Sequence, residues 1–339
     1  MDHLKILSRA WKMLWHYRVL WLFGFLFALA GGGSSFGGSS GGGGSGRGGG
    51  NGSGGPGFGP GSGGPPSWPP EFPNVPWSTV GIVILGIVAA ALLLIVILTI
   101  VRYVAETALI AGVDEIENTG ETLTVRRGFR LGWSRQAWRL FLTEFAIRLL
   151  FGLVAVLLLA LAASPLLLLL VNADVVRVIA VGVAILLILP AILFIIVAVL
   201  TLSLVMPYIQ RRVVLGRQGV VASVRQGLKL VRGSLRDTGL MWLLLIAIGF
   251  VWGIVKIPAV IVLVVVSLLM GGVPAGLVYL VSHSWVAAVV VGLPLFLLVL
   301  IPTIAFVEGL FQVYRSSAWT LAYRQVVTQH SDLLPVNGN

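Results

Sequence analysis

The feature that most constrains this chain is a series of long, uninterrupted runs of apolar side chains. These runs lie at residues 19–30, 79–103, 144–171, 175–206, 239–270 and 285–314. In hydrocarbon every backbone N–H and C=O must be paired within the protein, so such runs must form helices or closed barrels. The runs are continuous rather than alternating, which favours helices. The sequence therefore predicts an all-α, six-helix polytopic transmembrane bundle.

Composition agrees with lipid as the main partner. Hydrophobic residues make up 58% of the chain and charged residues only 10%, against about 25% charged residues in soluble domains. The net charge of +11 could indicate nucleic acid. Basic residues in short loops between apolar runs instead set topology and face anionic headgroups. We therefore expect the lipid bilayer and its anionic headgroups as partners, and no nucleic acid.

The distribution of basic residues predicts the orientation. Nineteen of the 23 Lys and Arg residues fall in segments on one side of the predicted spans, whereas only Arg47 and Arg177 fall on the other. Such asymmetry places the basic side in the cytoplasm. We expect a multi-pass plasma-membrane protein of bacterial type with both termini cytoplasmic.

Four segments follow from these patterns. Residues 1–30 form a cytoplasmic helix and the first span, and residues 79–314 form a membrane domain with five further spans. Residues 31–78 are rich in Gly, Ser and Pro, cannot bury enough apolar surface to fold, and are expected to be a disordered extracytoplasmic loop. Residues 315–339 are predicted as a cytoplasmic tail.

Two places keep alternatives. The first apolar run ends in Ala28 and Ala30 before glycine, as in a cleaved signal peptide. An uncleaved helix entering through Trp15 and Trp21 is the favoured interpretation, since tryptophan is enriched at membrane interfaces. Residues 271–284 are either an outer loop or a short re-entrant segment.

Two basic loops resemble each other. The sequence VRRGFRL at residues 125–131 matches VRQGLKL at residues 224–230 by residue type at every position, and Gly120 and Gly219 share the same offset of 99 residues. Shared composition could produce such a match, but its length favours an internal repeat. Repeats are common in polytopic membrane folds.

Two motifs carry a resemblance to known proteins. The opening WKMLWHYRVLWLFG at residues 11–24 resembles the start of uncharacterised bacterial multi-pass membrane proteins, in which a glycine-rich outer loop often follows. Residues 224–233 are similar to the membrane domain attached to some glycerophosphodiester phosphodiesterases. The resemblance implies a six-helix membrane domain of unknown activity. The phosphodiesterase catalytic domain is not in this sequence, so no hydrolase residue is carried over.

The sequence offers no catalytic, metal or cofactor motif. The chain has no cysteine, its four histidines fall in four separate regions, and no His-Glu-x-x-His pattern occurs. No serine lies beside a histidine within a span, as a nucleophile and base would. We therefore expect a protein that is not an enzyme and needs no cofactor.

Ionisable residues within the apolar runs are the candidate polar sites. Lys256 lies deep in its run, where an unpaired ammonium costs about 3 kcal/mol, so it should face protein or a cavity with Glu308 as its acidic partner. Glu144 and Arg148 are four residues apart, as in a helical ion pair. Arg102 and Glu106 repeat that spacing.

Residues 220–236 are predicted to form an amphipathic helix on the cytoplasmic face. Apolar residues gather on one face, and a basic strip runs beside it, formed by Arg225, Lys229, Arg232 and Arg236. The helix either lies on anionic lipid or packs on the bundle with its strip in water. The copy at residues 125–131 should behave alike only at its start.

Two functions remain in view. The first is a non-enzymatic membrane module that interacts with lipid, or with a protein partner, through its basic cytoplasmic face. The alternative is a small-molecule transporter or permease with a polar path near Lys256 and Glu308. A continuous polar cavity reaching Lys256 would favour the transporter, and a dry bundle would favour the module.

Overall fold

The computed structural model describes residues 2–32, 77–170, 174–216 and 219–329. Within these residues the chain forms nine α-helices and no strand, which confirms the all-α prediction. The helices are α1 His3–His16, α2 Val19–Phe27, α3 Trp77–Thr119, α4 Val125–Gly132, α5 Arg135–Ala163, α6 Asp174–Leu215, α7 Val220–Gly233, α8 Leu235–Ser282 and α9 Trp285–Gln329. A π-helical turn, Ala28–Gly32, follows α2, and a 3₁₀ helix, Ser164–Leu170, follows α5.

Five helices are long and apolar enough to cross a membrane. They are Ile84–Thr119, Arg135–Leu169, Asp174–Leu215, Leu235–Ser282 and Trp285–Gln329. This supports a membrane protein. Most of the predicted disordered loop, residues 33–76, lies outside the described residues.

The first predicted span is bent. Helices α1 and α2 meet at 100° around Tyr17 and Arg18. The number of candidate spans is therefore five, or six if this bent pair is counted as one span. The indole N–H of Trp21 donates to the carbonyl of Leu14 at 2.6 Å across this corner. Helix α1 is amphipathic and buries Ile6 and Ala10, which explains why it leaves the direction of the apolar α2.

Helices α8 and α9 are among those that run further than the apolar runs predict. Helix α8 passes without a break through Gly271, where the sequence predicts a turn. An added Cβ at Gly271 would lie 2.6 Å from the carbonyl oxygen of Gly292 on α9, so this glycine permits close helix packing rather than a turn. The chain turns instead at His283, which has a φ of 48°.

Helix α9 does not end at Tyr314, as predicted for its span. It continues to Gln329 and buries Ala318, Trp319 and Ala322. The predicted tail from residue 315 therefore begins as a packed helix. Small and aromatic residues alternate here with polar ones, a pattern of protein packing that a search for lipid-facing runs does not detect.

The chain divides into two compact units, residues 39–97 and the remainder. In the described part of the smaller unit lies the first half of α3. In the larger unit, buried side chains concentrate at the basic end, where residues of α1, α2 and the second halves of α3, α6 and α9 form one hydrophobic core. Helices α5 and α6 pack together, as do α8 and α9.

Candidate functional site

Three short helices, α1, α4 and α7, each come immediately before a more apolar helix. One or two non-helical residues separate each short helix from the next helix. They are Tyr17 and Arg18 before α2, Trp133 and Ser134 before α5, and Ser234 before α8. At all three places the backbone N–H of the next residue still donates to the end of the short helix, from Tyr17 to Met13 at 3.0 Å, from Trp133 to Phe129 at 2.8 Å and from Ser234 to Leu230 at 3.1 Å. Each short helix can therefore point in a direction different from the helix that follows.

One sector of each short helix faces the bundle. On α1 and α7 it recurs at helical spacing, as Ile6, Ala10, Met13 and Leu14 and as Ser223, Gly227, Leu230 and Val231; on α4 it is Gly128 and Gly132. The repeated glycines serve the same purpose. An added Cβ at Gly128 would lie 2.6 Å from the Phe23 ring, and one at Gly227 would lie 2.9 Å from Ile209.

A second sector exposes apolar side chains. It consists of Leu4, Trp11 and Trp15 on α1, Val125 and Phe129 with the adjoining Trp133 on α4, and Val221 and Leu228 on α7. The rings of Phe129 and Trp133 stack with centroids 6.4 Å apart. In water such groups would be an unfavourable patch, whereas in a bilayer they suit the interface.

A third sector is basic and exposed. It consists of Lys5, Arg9 and Lys12 on α1, Arg126 and Arg130 on α4, and Arg225, Lys229 and Arg232 on α7. Arg236, the last member of the predicted strip, is also exposed but belongs to the first turn of α8. The break at Ser234 thus divides the strip between two helices.

The three sectors follow one another in the same rotational order on every short helix. When the residues are projected on a helical wheel at about 100° per residue, the bundle-facing sector is followed by the exposed apolar sector and then by the basic sector, in the same sense of rotation on all three helices. Val231 belongs to the apolar face that periodicity predicts for α7, and it is buried against the bundle, whereas Val221 and Leu228 of the same face are exposed. Helix α7 therefore packs on the protein through one face and presents its other two faces outward.

The structure brings Lys256 and Glu308 together. The ammonium of Lys256 on α8 forms an ion pair with the carboxylate of Glu308 on α9, and both side chains are largely buried. Each group thus satisfies the charge of the other directly.

The second predicted pair forms within a larger arrangement. Glu144 accepts a hydrogen bond from Arg148, as the spacing predicts, and also lies 3.8 Å from Arg102 of α3. Arg102 does not pair with Glu106, its expected partner. Glu106 instead accepts a hydrogen bond from the side chain of Gln210 at 2.8 Å, because α6 lies against it.

Sequence reasoning missed two buried arginines and treated them only as topology signals. Arg211 donates to the carbonyl oxygens of Pro207 at 2.9 Å and Ser316 at 3.3 Å. Arg212 donates to Gln226 at 2.7 Å and to the Tyr323 hydroxyl at 3.4 Å. The available signal is the apolar run Val-Val-Leu that follows them, because a helix ending at the water interface would not continue in this way.

The described residues contain no candidate metal site. Among the described residues, no group of three or more His, Asp or Glu side chains could hold a metal ion. The expectation that the protein is not an enzyme stays a prediction.

Comparisons with known proteins give a family without an assigned activity. No curated protein and no solved structure matches the chain. The expectation of an uncharacterised family is consistent with the family match, whereas nothing links the chain to the membrane domain of glycerophosphodiester phosphodiesterases. A family model matches residues 9–323. The chain therefore belongs to the Family of unknown function (DUF7544).

Proposed function

We propose that this protein is a non-enzymatic module of the plasma membrane that engages anionic lipid headgroups through its three short helices. The bundle crosses the membrane six times, with α1 and α2 contributing one crossing and with both termini in the cytoplasm. One observation carries the proposal: the bundle-facing, apolar and basic sectors follow the same order on α1, α4 and α7.

That order suits a helix lying in the membrane interface beside the bundle. One side touches protein, the apolar sector reaches toward hydrocarbon, and the basic sector reaches headgroups and water. Each Lys or Arg near an anionic surface contributes about 1 kcal/mol of attraction. On helices that share one membrane face, the same rotational order means that all three run in the same direction around the bundle.

The shared order also supports an internal repeat. A unit of one short helix, one outgoing span and one long returning helix fits α1–α3, α4–α6 and α7–α9. Two of these units carry the matching glycines, Gly128 and Gly227, at the same kind of close helix contact. We propose that the bundle was built from three copies of this unit.

The ion pair between Lys256 and Glu308 fits both functions. An ammonium and a carboxylate that neutralise each other join α8 to α9, and the transporter alternative also expects these two residues to meet. We place the transporter alternative second because the observation that carries the proposal, the repeated order of sectors on the short helices, does not call for a transport path.

Orientation is tested with reporter fusions. Alkaline phosphatase fused after Gly54 should be active, because that segment is predicted outside, and the same reporter fused after Gly219 should be inactive. The reverse pattern would overturn the orientation and, with it, the cytoplasmic position of the short helices.

Lipid selectivity is tested with the full chain in vesicles that contain spin-labelled lipids. Wild-type protein should associate more strongly with phosphatidylglycerol than with phosphatidylcholine. The triple variant Arg225→Gln, Lys229→Gln, Arg232→Gln should lose much of that preference, since three exposed charges are removed. The matched control, Arg225→Lys with Arg232→Lys, keeps the charge and should keep the preference. No preference in the wild-type protein would refute the proposed lipid interaction, and equal selectivity in all three proteins would refute the part of α7 in it.

A further inference from the structure

A cavity of about 640 Å³ lies beside the second half of α1. The α1 side is lined by Trp11, Lys12, Trp15 and His16 among others, and the opposite side by the end of α3, including Glu117. Its volume falls within the roughly 300–1,000 Å³ of pockets that hold small molecules. The cavity thus spans both the apolar and the basic sectors of α1.

Some cationic side chains of the cavity have an acidic partner and others do not. Arg9 is engaged, because its guanidinium donates to both carboxylate oxygens of Glu117, at 2.8 and 2.6 Å. Lys12 and His16 have no acidic partner within the described part of the chain, and the His16 ring lies edge to face with the Tyr17 ring, at 5.0 Å between centroids. Two nitrogen groups that can bind an anion therefore lie one helical turn apart.

The apolar side of the cavity is aromatic. The rings of Trp11 and Trp15 meet edge to face at 5.9 Å and remain 50% and 52% exposed. Tryptophan at a membrane interface packs against the glycerol region and the first part of acyl chains. An amphiphile with an anionic head and an apolar body matches this pairing of surfaces, whereas a free anion would leave the aromatic side unused.

We propose that this cavity binds one anionic phospholipid, with its phosphate at Lys12 and His16 and its acyl chains against Trp11 and Trp15. The inference rests on the proposed lipid-binding role of the short helices and adds to it a single saturable site. Elsewhere on the short helices, anionic lipids exchange along an exposed surface.

A neighbouring cavity offers a natural comparison. It measures about 440 Å³ and is lined by Asp2, Lys5, Glu117 and Arg324 among others. Lys5 lies 4.0 Å from Asp2, and Arg324 donates to Asp114 at 2.6 Å. Cations with nearby carboxylates attract a phosphate less, so Lys5 is a matched control on the same basic sector.

The test uses the full chain in phosphatidylcholine nanodiscs and isothermal titration calorimetry. The probes are dihexanoyl-phosphatidylglycerol, dihexanoyl-phosphatidylcholine and inorganic phosphate. Wild-type protein should show one saturable phosphatidylglycerol site. Lys12→Gln or His16→Gln should weaken it by about tenfold, the worth of one hydrogen bond to a charged group. Lys5→Gln should leave it unchanged.

Each alternative outcome has a distinct meaning. Equal weakening by Lys5→Gln and Lys12→Gln would show diffuse attraction and overturn the site. Inorganic phosphate binding as tightly as phosphatidylglycerol would show an anion site without lipid recognition, which also overturns it. Failure here with preserved selectivity in the spin-label experiment would leave the general lipid role intact. A wild-type protein without that selectivity but with the saturable cavity site would refute lipid binding along the exposed short helices and leave the cavity site intact.

Discussion

At the basic end of the bundle, side chains such as Leu140 and Met241 are fully buried, whereas Leu186 and Leu298 in the apolar halves of α6 and α9 expose 72% and 70% of their surface. The buried polar contacts concentrate at the same basic end, where Thr238 donates to the Tyr208 hydroxyl at 3.1 Å. Lipid tails are as apolar as leucine, so the exposed leucines cost nothing in a bilayer. The comparison indicates that protein packing fixes one end and that lipid completes the other.

The largest expected effect comes from a substitution at the basic end of the bundle, which we call the packed end. Leu140→Ala should lower the free energy of unfolding by about 3 kcal/mol, because a fully buried side chain leaves a cavity. Leu186→Ala, the same change in the apolar half, should alter stability little. The fraction of folded protein against the mole fraction of sodium dodecyl sulfate measures both. Equal losses would show that the two halves are packed alike.

A smaller effect is expected from the charges at the packed end. Glu144→Ala removes the carboxylate that serves Arg102 and Arg148, and should cost about 2 kcal/mol because both arginines keep partial access to solvent. Glu121, whose pair with Arg127 is exposed at 3.9 Å, is the control, and Glu121→Ala should have almost no effect. If the two variants unfold alike in the same titration, the acidic residue at the packed end contributes no more than a surface pair.

The smallest expected effect tests the ion pair near the middle of α8 and α9. Lys256→Met leaves Glu308 without its partner and should cost about 1.5 kcal/mol. The double variant Lys256→Met, Glu308→Leu should recover most of that loss, because two apolar groups replace the pair. A double-mutant cycle in the same titration measures the coupling. Coupling near zero would mean that the two charges act independently.

The spans were predictable from sequence because a lipid-facing helix needs only apolar length, as in Asp174–Leu215. The basic residues of α7 followed from periodicity for the same local reason. Packing of α7 on the bundle was one of two alternatives, but the sequence did not identify Ser223 and Gly227 as packing residues, because they are small and only the neighbouring Ile209 makes them a contact surface. The partner of Arg102 was missed since it comes from another helix.

Helix α1 also differs from what the sequence predicts. The sequence predicts that the end of α1 leads directly into the first span. In the structure α1 instead carries the same three sectors, bundle-facing, apolar and basic, as α4 and α7. Trp15 and Trp21, which the sequence predicts at the membrane interface, lie on either side of the 100° bend, so the helix does not continue straight from one to the other. The local sequence of α1 therefore predicts an interface for its aromatic residues, whereas the bend at Tyr17, which sets the direction of α1, was not predicted.

The shortness of the helix after that corner has a consequence for membrane thickness. From Val19 to Gly31, where φ reaches 80°, the chain rises only about 20 Å, against about 30 Å of hydrocarbon in a typical bilayer. Helix α8, Leu235–Ser282, is more than long enough to cross. We expect lipid tails beside α2 to be compressed and those beside α8 to be relaxed. A protein with such uneven flanks would gather shorter-chain lipids on one side and collect where the bilayer is thin.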